Sequence, residues 1–350
     1  YNIDLTLLTP KTWRHPMRGS MRYQVGRAEP FRTLCCDAIF KGHNLRYFYV
    51  GLPWIILKYG KDIVHLEEEP ISLVAFLSAS WARLFSKRFV FFTWENILRK
   101  KELFPYDLFG KAVMRLSHAA VAGNGDALSV LKARGFKTKI VQFGQLGIDV
   151  PFDPQTGSAD FGKVVQKHCR FRVGFLGRVN REKGVQTLIE AATQTPADIG
   201  YVVIGRGDFR GEAESLAHRL GLSERITFID TLPHETIPDV MKSLDLMVLP
   251  SLTTPTWKEQ FGQVLIEAMA CGVPVVGSNS GAIPEVIGDS GLIFSEGDAQ
   301  ALAKAIMELA SDNALRSRLA AKGRQRVNEN YTHQIIAAKT AQLYRQILSG

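Results

Sequence analysis

Residues 259–276 read Glu259-Gln-Phe-Gly262-Gln-Val-Leu-Ile-Glu267-Ala-Met-Ala-Cys271-Gly-Val-Pro-Val-Val276. The apolar run 246–249 before them reads as a buried strand stopped by Pro250, and 273–276 reads as the next strand. Between the two, Gly262 opens a helix. The first amides of a helix have no intrahelical partner and favour an anion. Glycine at that point lets a phosphate approach the backbone closely. Glu267 lies five residues beyond Gly262, about 7.5 Å along the axis at roughly 1.5 Å per residue. A diphosphate at the helix start would have Glu259 on one side and Glu267 on the other, within reach of a ribose. A carboxylate in the first turns also serves as a plain dipole partner, so spacing alone leaves both readings open.

A second stretch has matching chemistry. Gly174-Phe-Leu-Gly177-Arg178-Val-Asn-Arg-Glu-Lys183-Gly184 ends a strand, turns on glycine and enters a helix with two cations beside it. Arg178 brings a planar fork and Lys183 a mobile point charge. Together they suit a diphosphate and a leaving group that gains negative charge. Two surface cations on a loop is the alternative reading.

Outward from these motifs, the second half alternates short apolar strands and helices. Strands are expected at 171–176, 201–204, 226–229, 246–249, 273–276 and 292–294. Helices are expected at 185–193, 212–220, 235–244, 262–271 and 299–310, with the turn Gly205-Arg206-Gly-Asp208 after the second strand. Strands apolar along their whole length imply a parallel sheet covered on both faces. The first half follows the same grammar: strands at 3–8, 63–66, 89–93, 119–122 and 139–141, helices at 71–85, 108–116 and 126–135. The glycine- and proline-rich stretch 143–168 reads as a linker. The expected fold is α/β, with two Rossmann-like doubly wound parallel-sheet domains facing a cleft. They would span 1–155 and 156–330, and a C-terminal helix at 331–350 would pack back towards the first.

Composition is that of an ordinary globular chain: 350 residues, 46% hydrophobic, 22% charged. That excludes a disordered tail, a collagen repeat and a disulfide scaffold. Apolar runs such as 71–79 are too short to span a bilayer. Four cysteines without paired or metal-ligand spacing indicate a reducing cytosol. The chain opens at Tyr1 without a signal peptide or a methionine, so upstream residues are expected to be missing. The net charge of +9 is uneven: residues 1–160 hold 22 Lys and Arg against 14 Asp and Glu, and residues 161–350 hold 21 against 20. Lys11, Arg14, Arg18, Arg22, Arg27 and Arg32 face only Glu29, with Trp13, Tyr23 and Phe31 between them. The stretch 11–32 reads as a solvated basic face, as a seat for an anionic membrane surface or phosphorylated acceptor, or, with least support, as a nucleic-acid site. The aromatic stretch 46–59 reads equally as membrane-facing or as core.

Taken together, these motifs resemble the retaining glycosyltransferases of family 4, the group 1 glycosyltransferases of GT-B architecture. The resemblance is dense from Phe171 to about Ala310 and rests on Gly177-Arg178, Glu182-Lys183-Gly184, the 205–208 turn, the two glutamates with seven residues between them, and Gly272-Val-Pro-Val-Val276. It implies a nucleotide diphosphate sugar as donor, UDP favoured, and transfer of a hexose to an acceptor hydroxyl with retained configuration. Arg178 and Lys183 would hold and stabilise the departing diphosphate. Glu259 would contact the sugar, and Glu267 the ribose. Gly177, Gly205, Arg206, Phe261, Gly262, Gln263 and Val264 would line the donor site. The resemblance implies no metal and no cofactor, in keeping with the lack of an Asp-x-Asp motif. It implies a cytoplasmic enzyme, peripheral on the inner face of the membrane if the acceptor is lipid-linked, with no nucleic-acid partner.

The first half departs from the family. A histidine usual near the sugar is absent from Phe91-Phe-Thr-Trp94-Glu-Asn96, so Trp94 or Asn96 would line the pocket. Residues 1–10 look like the family's second strand rather than its first. On the acceptor side, Glu67 and Glu69 follow the expected strand 63–66, where a solvated charge run and hydroxyl recognition are both open readings, and His65 within that strand reads as a core histidine or as a catalytic one. Two rivals remain. A nucleotide-sugar epimerase on the same fold would release nucleotide without an acceptor. A basic membrane- or nucleic-acid-binding module would bind through 11–32 and ignore changes at Glu259. A dinucleotide oxidoreductase is disfavoured, because no Gly-x-Gly-x-x-Gly follows a strand.

Overall fold

The computed structural model describes residues 3–15, 19–23, 31–98, 104–149 and 169–349. The chain divides into two units, Tyr1–Gln145 with Ala337–Gly350, and Leu146–Ile336.

Unit 1 contains β1 (Thr6–Pro10), β2 (Thr12–His15), β3 (Gly19–Arg22), β4 (Arg32–Cys36), β5 (Ala38–Ile39), β6 (Phe48–Tyr49), α1 (Leu52–Tyr59), β7 (Ile63–Leu66), α2 (Leu73–Leu84), β8 (Arg88–Thr93), α3 (Tyr106–Leu116), β9 (Ala119–Ala122), α4 (Gly125–Ala133) and β10 (Lys139–Gln142). Its main sheet is parallel, in the order β10-β9-β8-β7. β8 and β9 are almost wholly buried, which is why their sequences show no polar alternation. α2 begins at Ser72, whose Oγ accepts from the Ala75 amide at 3.2 Å, and α4 begins at Asn124, whose Oδ1 accepts from the Ala127 amide at 2.8 Å. β1 pairs with β4 in parallel, and β2–β3 and β5–β6 are short antiparallel pairs.

Unit 2 contains β11 (Phe171–Leu176), α5 (Val185–Ala192), β12 (Ile199–Ile204), α6 (Arg210–Arg219), β13 (Ile226–Ile229), α7 (Ile237–Lys242), β14 (Leu246–Leu249), α8 (Gln263–Ala270), β15 (Val275–Ser278), α9 (Ile283–Ile287), β16 (Leu292–Phe294), α10 (Ala299–Ser311) and α11 (Asn313–Asn330). All six strands are parallel, in the order β13-β12-β11-β14-β15-β16. The order reverses between β11 and β14, and a doubly wound sheet binds its ligand at the carboxyl ends of the strands beside that reversal. One continuous core fills the unit, with Phe175, Leu188, Tyr201, Met247 and Ile266 fully buried.

The last helix, α12 (His333–Leu348), starts in unit 2, and its later turns belong to unit 1. Leu343 and Ile347 join Val90, Phe92, Ala119 and Val121 in a cluster on one face of the parallel sheet. Among the described residues, no helix is long and apolar enough to cross a membrane.

Strand positions in unit 2 follow the sequence expectation closely. The helix expected at 235–244 is instead a 3-10 turn at His234–Thr236 followed by α7, because Pro238 in its first turn has no amide to continue an upstream helix. α11 lacks an obvious apolar stripe. It buries Leu315, Leu319, Gly323 and Val327 at four-residue spacing under a charged exterior. Of the stretch 143–168, residues 150–168 lie outside the described residues. Its start is anchored: the Ile148 amide donates to the Tyr331 carbonyl at 2.9 Å.

Candidate active site

The loop after β11 carries the two cations. A 3-10 turn over Arg181–Lys183 delivers the chain to Gly184, which adopts φ +69°. A Cβ on Gly184 would lie 1.9 Å from the Pro250 carbonyl oxygen at the end of β14, so only glycine fits. That close approach brings Lys183 to Glu259: Nζ lies 2.7 Å from Oε2, and the two side chains are 14% and 8% exposed. The same Oε2 accepts from the buried Ser251 hydroxyl at 2.8 Å. The Lys183 ammonium also sits 5.0 Å from the Trp257 ring centroid. Arg178 is exposed, and among the described residues its guanidinium has no hydrogen-bonding or ionic partner.

Glu259 is fixed from a third side as well. Its carbonyl accepts from the Ala282 amide at 3.0 Å, and a Cβ on Gly281 would fall 2.1 Å from that same oxygen. Segments following β11, β14 and β15 therefore converge on one residue, the first two on its carboxylate and the third on its backbone carbonyl. Gly262 is the N-terminal cap of α8, at φ +82°, and no side chain caps the helix. A Cβ there would press on Leu249 at 2.9 Å and Leu265 at 3.1 Å. Gln263 and Val264 form the first turn, with Phe261 before them packed edge-on against the Tyr331 ring at 5.7 Å. Four residues after Gln263, Glu267 is 5% exposed and accepts from Gln263 Nε2 at 3.2 Å. Burial pushes its carboxyl up to about 7, and the Gln263 amide offsets only part of that.

Gly177 and Gly205 touch: a Cβ on Gly205 would sit 1.8 Å from the Gly177 carbonyl oxygen. The Val179 amide donates to the Arg206 carbonyl at 2.9 Å, so the 205–208 turn stitches the loops after β11 and β12 together. The Arg206 side chain turns outward and pairs with Asp230 at 2.8 Å, both groups being well exposed.

In unit 1 the acceptor-side candidates cluster at the ends of β7 and β8. Tyr344 Oη lies 2.7 Å from His65 Nδ1, and His65 Nε2, buried and without a hydrogen-bond partner among the described residues, lies 3.3 Å from Glu67 Oε1. Glu67 Oε2 accepts from Gln145 Nε2 at 2.9 Å, and Gln145 Oε1 accepts from Trp94 Nε1 at 2.9 Å. Burial lowers the His65 pKa to about 4, so the ring is neutral at pH 7. Glu69 points inward. It accepts from the Thr93 hydroxyl at 2.5 Å and the Trp94 amide at 2.7 Å, and burial raises its carboxyl to about 7. Trp94 lies flat on Gly123, where a Cβ would be 2.2 Å from its ring, and Asn96 is buried.

Of the basic stretch 11–32, Arg18 and Arg27 lie outside the described residues. Lys11 pairs with Asp37 at 2.9 Å, and Arg14 and Arg22 lie on the β2–β3 pair. Ser251, Trp257 and Gly281 around Glu259, and Gln145 and Tyr344 around Glu67, escaped the sequence reading. Ser251 directly follows Pro250, and an isolated serine after a strand carries no signal. Gln145 lay inside the supposed linker.

Residues 159–326 match the family model described as glycosyl transferases group 1. The chain is 33% identical over 147 residues to 2-deoxystreptamine N-acetyl-D-glucosaminyltransferase of Streptomyces fradiae, covering 40% of this chain and 34% of that protein. It is 29% identical over 258 residues to the lipopolysaccharide core biosynthesis mannosyltransferase LpsB of Rhizobium meliloti, covering 69% of each. The chain thus spans only about a third of the first of these relatives. In fold it is similar to Anabaena HepE, solved in complex with UDP, at TM-score 0.71 and 21% identity, covering 84% of this chain and 81% of that one. It is similar also to a glycosyltransferase from Rickettsia africae, at TM-score 0.72 and 19% identity, covering 91% and 85%. The chain has the α/β fold class of these GT-B structures, and residues 159–326 carry the sequence pattern of the group 1 glycosyl transferase model.

Proposed function

We propose that this protein transfers a hexose from a nucleotide diphosphate sugar, a UDP-sugar by preference, to an acceptor hydroxyl with retention of anomeric configuration. The observation that carries the reading is the Lys183–Glu259 pair, held at the switch point of a parallel sheet beside an uncapped helix start, with Arg178 on the same loop as Lys183 and without a partner among the described residues. The diphosphate occupies the amino end of α8, with Arg178 and Lys183 beside it. As the bond from sugar to phosphate weakens, charge grows on the phosphate oxygens, and the cations and helix amides gain attraction at that moment. Glu259, locked by Ser251 and Lys183, accepts hydroxyls of the sugar. Glu267 accepts a ribose hydroxyl. The acceptor attacks on the leaving-group face, and a phosphate oxygen takes its proton, so no nucleophilic carboxylate and no metal enter the step. Glu67, with neutral His65 behind it and Gln145 and Trp94 beside it, receives the acceptor hydroxyl.

The named relatives support the class and differ in sugar: one is an N-acetylglucosaminyltransferase, another a mannosyltransferase of lipopolysaccharide core synthesis. The second name, with the basic first half, favours a lipid-linked or otherwise anionic acceptor met at the cytoplasmic face of a membrane. The test is calorimetry with UDP, GDP and ADP, followed by turnover of the matching nucleotide-sugars. Binding of one diphosphate, weakened at least tenfold in Arg178→Ala, supports the assignment. Failure of all three to bind refutes it. Release of free nucleotide and an epimerised sugar without an acceptor would favour the epimerase.

A further inference from the structure

The structure splits the aromatic stretch 46–59 by face. Tyr47, Tyr49, Leu52 and Ile56 are buried in one cluster with Val74. Val50, Trp54 and Leu57 point away from it and are 53%, 59% and 56% exposed. Trp54, Leu57 and Lys58 share one face of α1 at spacings of three and four residues, and Val50 stands just before the helix cap Gly51. The Lys58 ammonium lies 4.5 Å from the Trp54 ring centroid and 5.2 Å from that of Tyr59, and the Arg32 guanidinium lies 5.4 Å from the Tyr59 centroid. α1 holds no acidic residue. Nearby, Asp4 is paired with Lys61 at 2.7 Å and Asp62 is exposed.

Charge separates by unit. Unit 1 carries 24 Lys and Arg against 11 Asp and Glu, a net +13, whereas unit 2 carries 19 against 23, a net −4. An outward tryptophan and leucine with a lysine ammonium over the indole, on the basic unit, meet the two demands of a lipid interface: an apolar layer under the headgroups and anionic phosphate above it. A second copy of the chain would bring the same positive charge against itself.

We propose that the outward face of α1, formed by Trp54, Leu57 and Lys58, docks unit 1 on an anionic lipid bilayer. The basic surface of unit 1 supplies long-range attraction to this face. The proposal stands independently of the transferase reading.

The test is co-flotation of the full chain with phosphatidylcholine vesicles, with and without phosphatidylglycerol. Binding is expected on the anionic vesicles, weaker in high salt, with a blue shift of tryptophan emission that Trp54→Phe reduces. Trp54→Ser with Leu57→Ser should lower the partition coefficient about tenfold or more, and Lys58→Glu should lower it as well, with far-UV circular dichroism and thermal midpoint unchanged. Equal partition of wild type and the double variant would overturn the proposal, as would no binding to anionic vesicles. A dimer dispersed by the double variant, without vesicle binding, would assign the face to a second copy and also overturn it.

Discussion

Glu259 is the residue on which unit 2 is organised, and its partners determine what happens when one is removed. A buried carboxylate left without its cation costs about 3 kcal/mol or more, because desolvation is no longer compensated. Lys183→Ala should therefore lower both the stability of unit 2 and turnover, the latter about 100-fold or more. Adding Glu259→Gln removes the stranded charge. The double variant should recover much of the stability in a urea titration and none of the turnover; recovery of turnover would remove Lys183 from its role. Glu267 gives a pH signature. A carboxyl at about 7 in the folded chain, against 4.5 as its ordinary value, holds more protons folded than unfolded between those values. Stability therefore falls as pH rises from about 4.5 to about 7, by at most about 3 kcal/mol. Glu267→Gln should flatten that slope in unfolding measurements made across the window.

At the scale of elements, the loops rather than the strands determine whether the site forms. Gly184 passes against the end of β14, and Gly205 against the Gly177 carbonyl. Gly184→Ala adds an atom where none fits, at a φ that alanine resists, and should destabilise unit 2 by about 2 kcal/mol or more. Because the displaced loop carries Lys183, nucleotide affinity should fall with it. Gly211→Ala, with nothing near its Cβ, is the neutral control. The glycines were visible in the sequence as turn residues, but their purpose was not. Gly205 reads as the start of a turn lining the donor site, and in the structure its lack of a side chain also lets two neighbouring loops touch.

For the whole molecule, the chain returns to unit 1 at its end. Leu343 is 1% exposed against the sheet of unit 1. Leu343→Ala should cost unit 1 about 3 kcal/mol. Diphosphate binding by unit 2 should be unaffected in the same preparation. Calorimetric unfolding and nucleotide titration of that variant check both statements.

The strands of unit 2, the glycine turns and the spacing of Glu259 from Glu267 could all be read from the chain, because a buried parallel strand and a helix start are local in sequence and carry their own residue types. Three things required the folded molecule. Ser251 and Gly281 meet Glu259 only because β14 and β15 end side by side. Glu69, read within a run of three acids, turns inward because Thr93 and Trp94 supply its donors. Residues 46–59, with no dominant period, divide into core and surface only once α1 packs on its cluster. Each of these depends on neighbours distant in sequence, and burial, unlike periodicity, is a property of those neighbours.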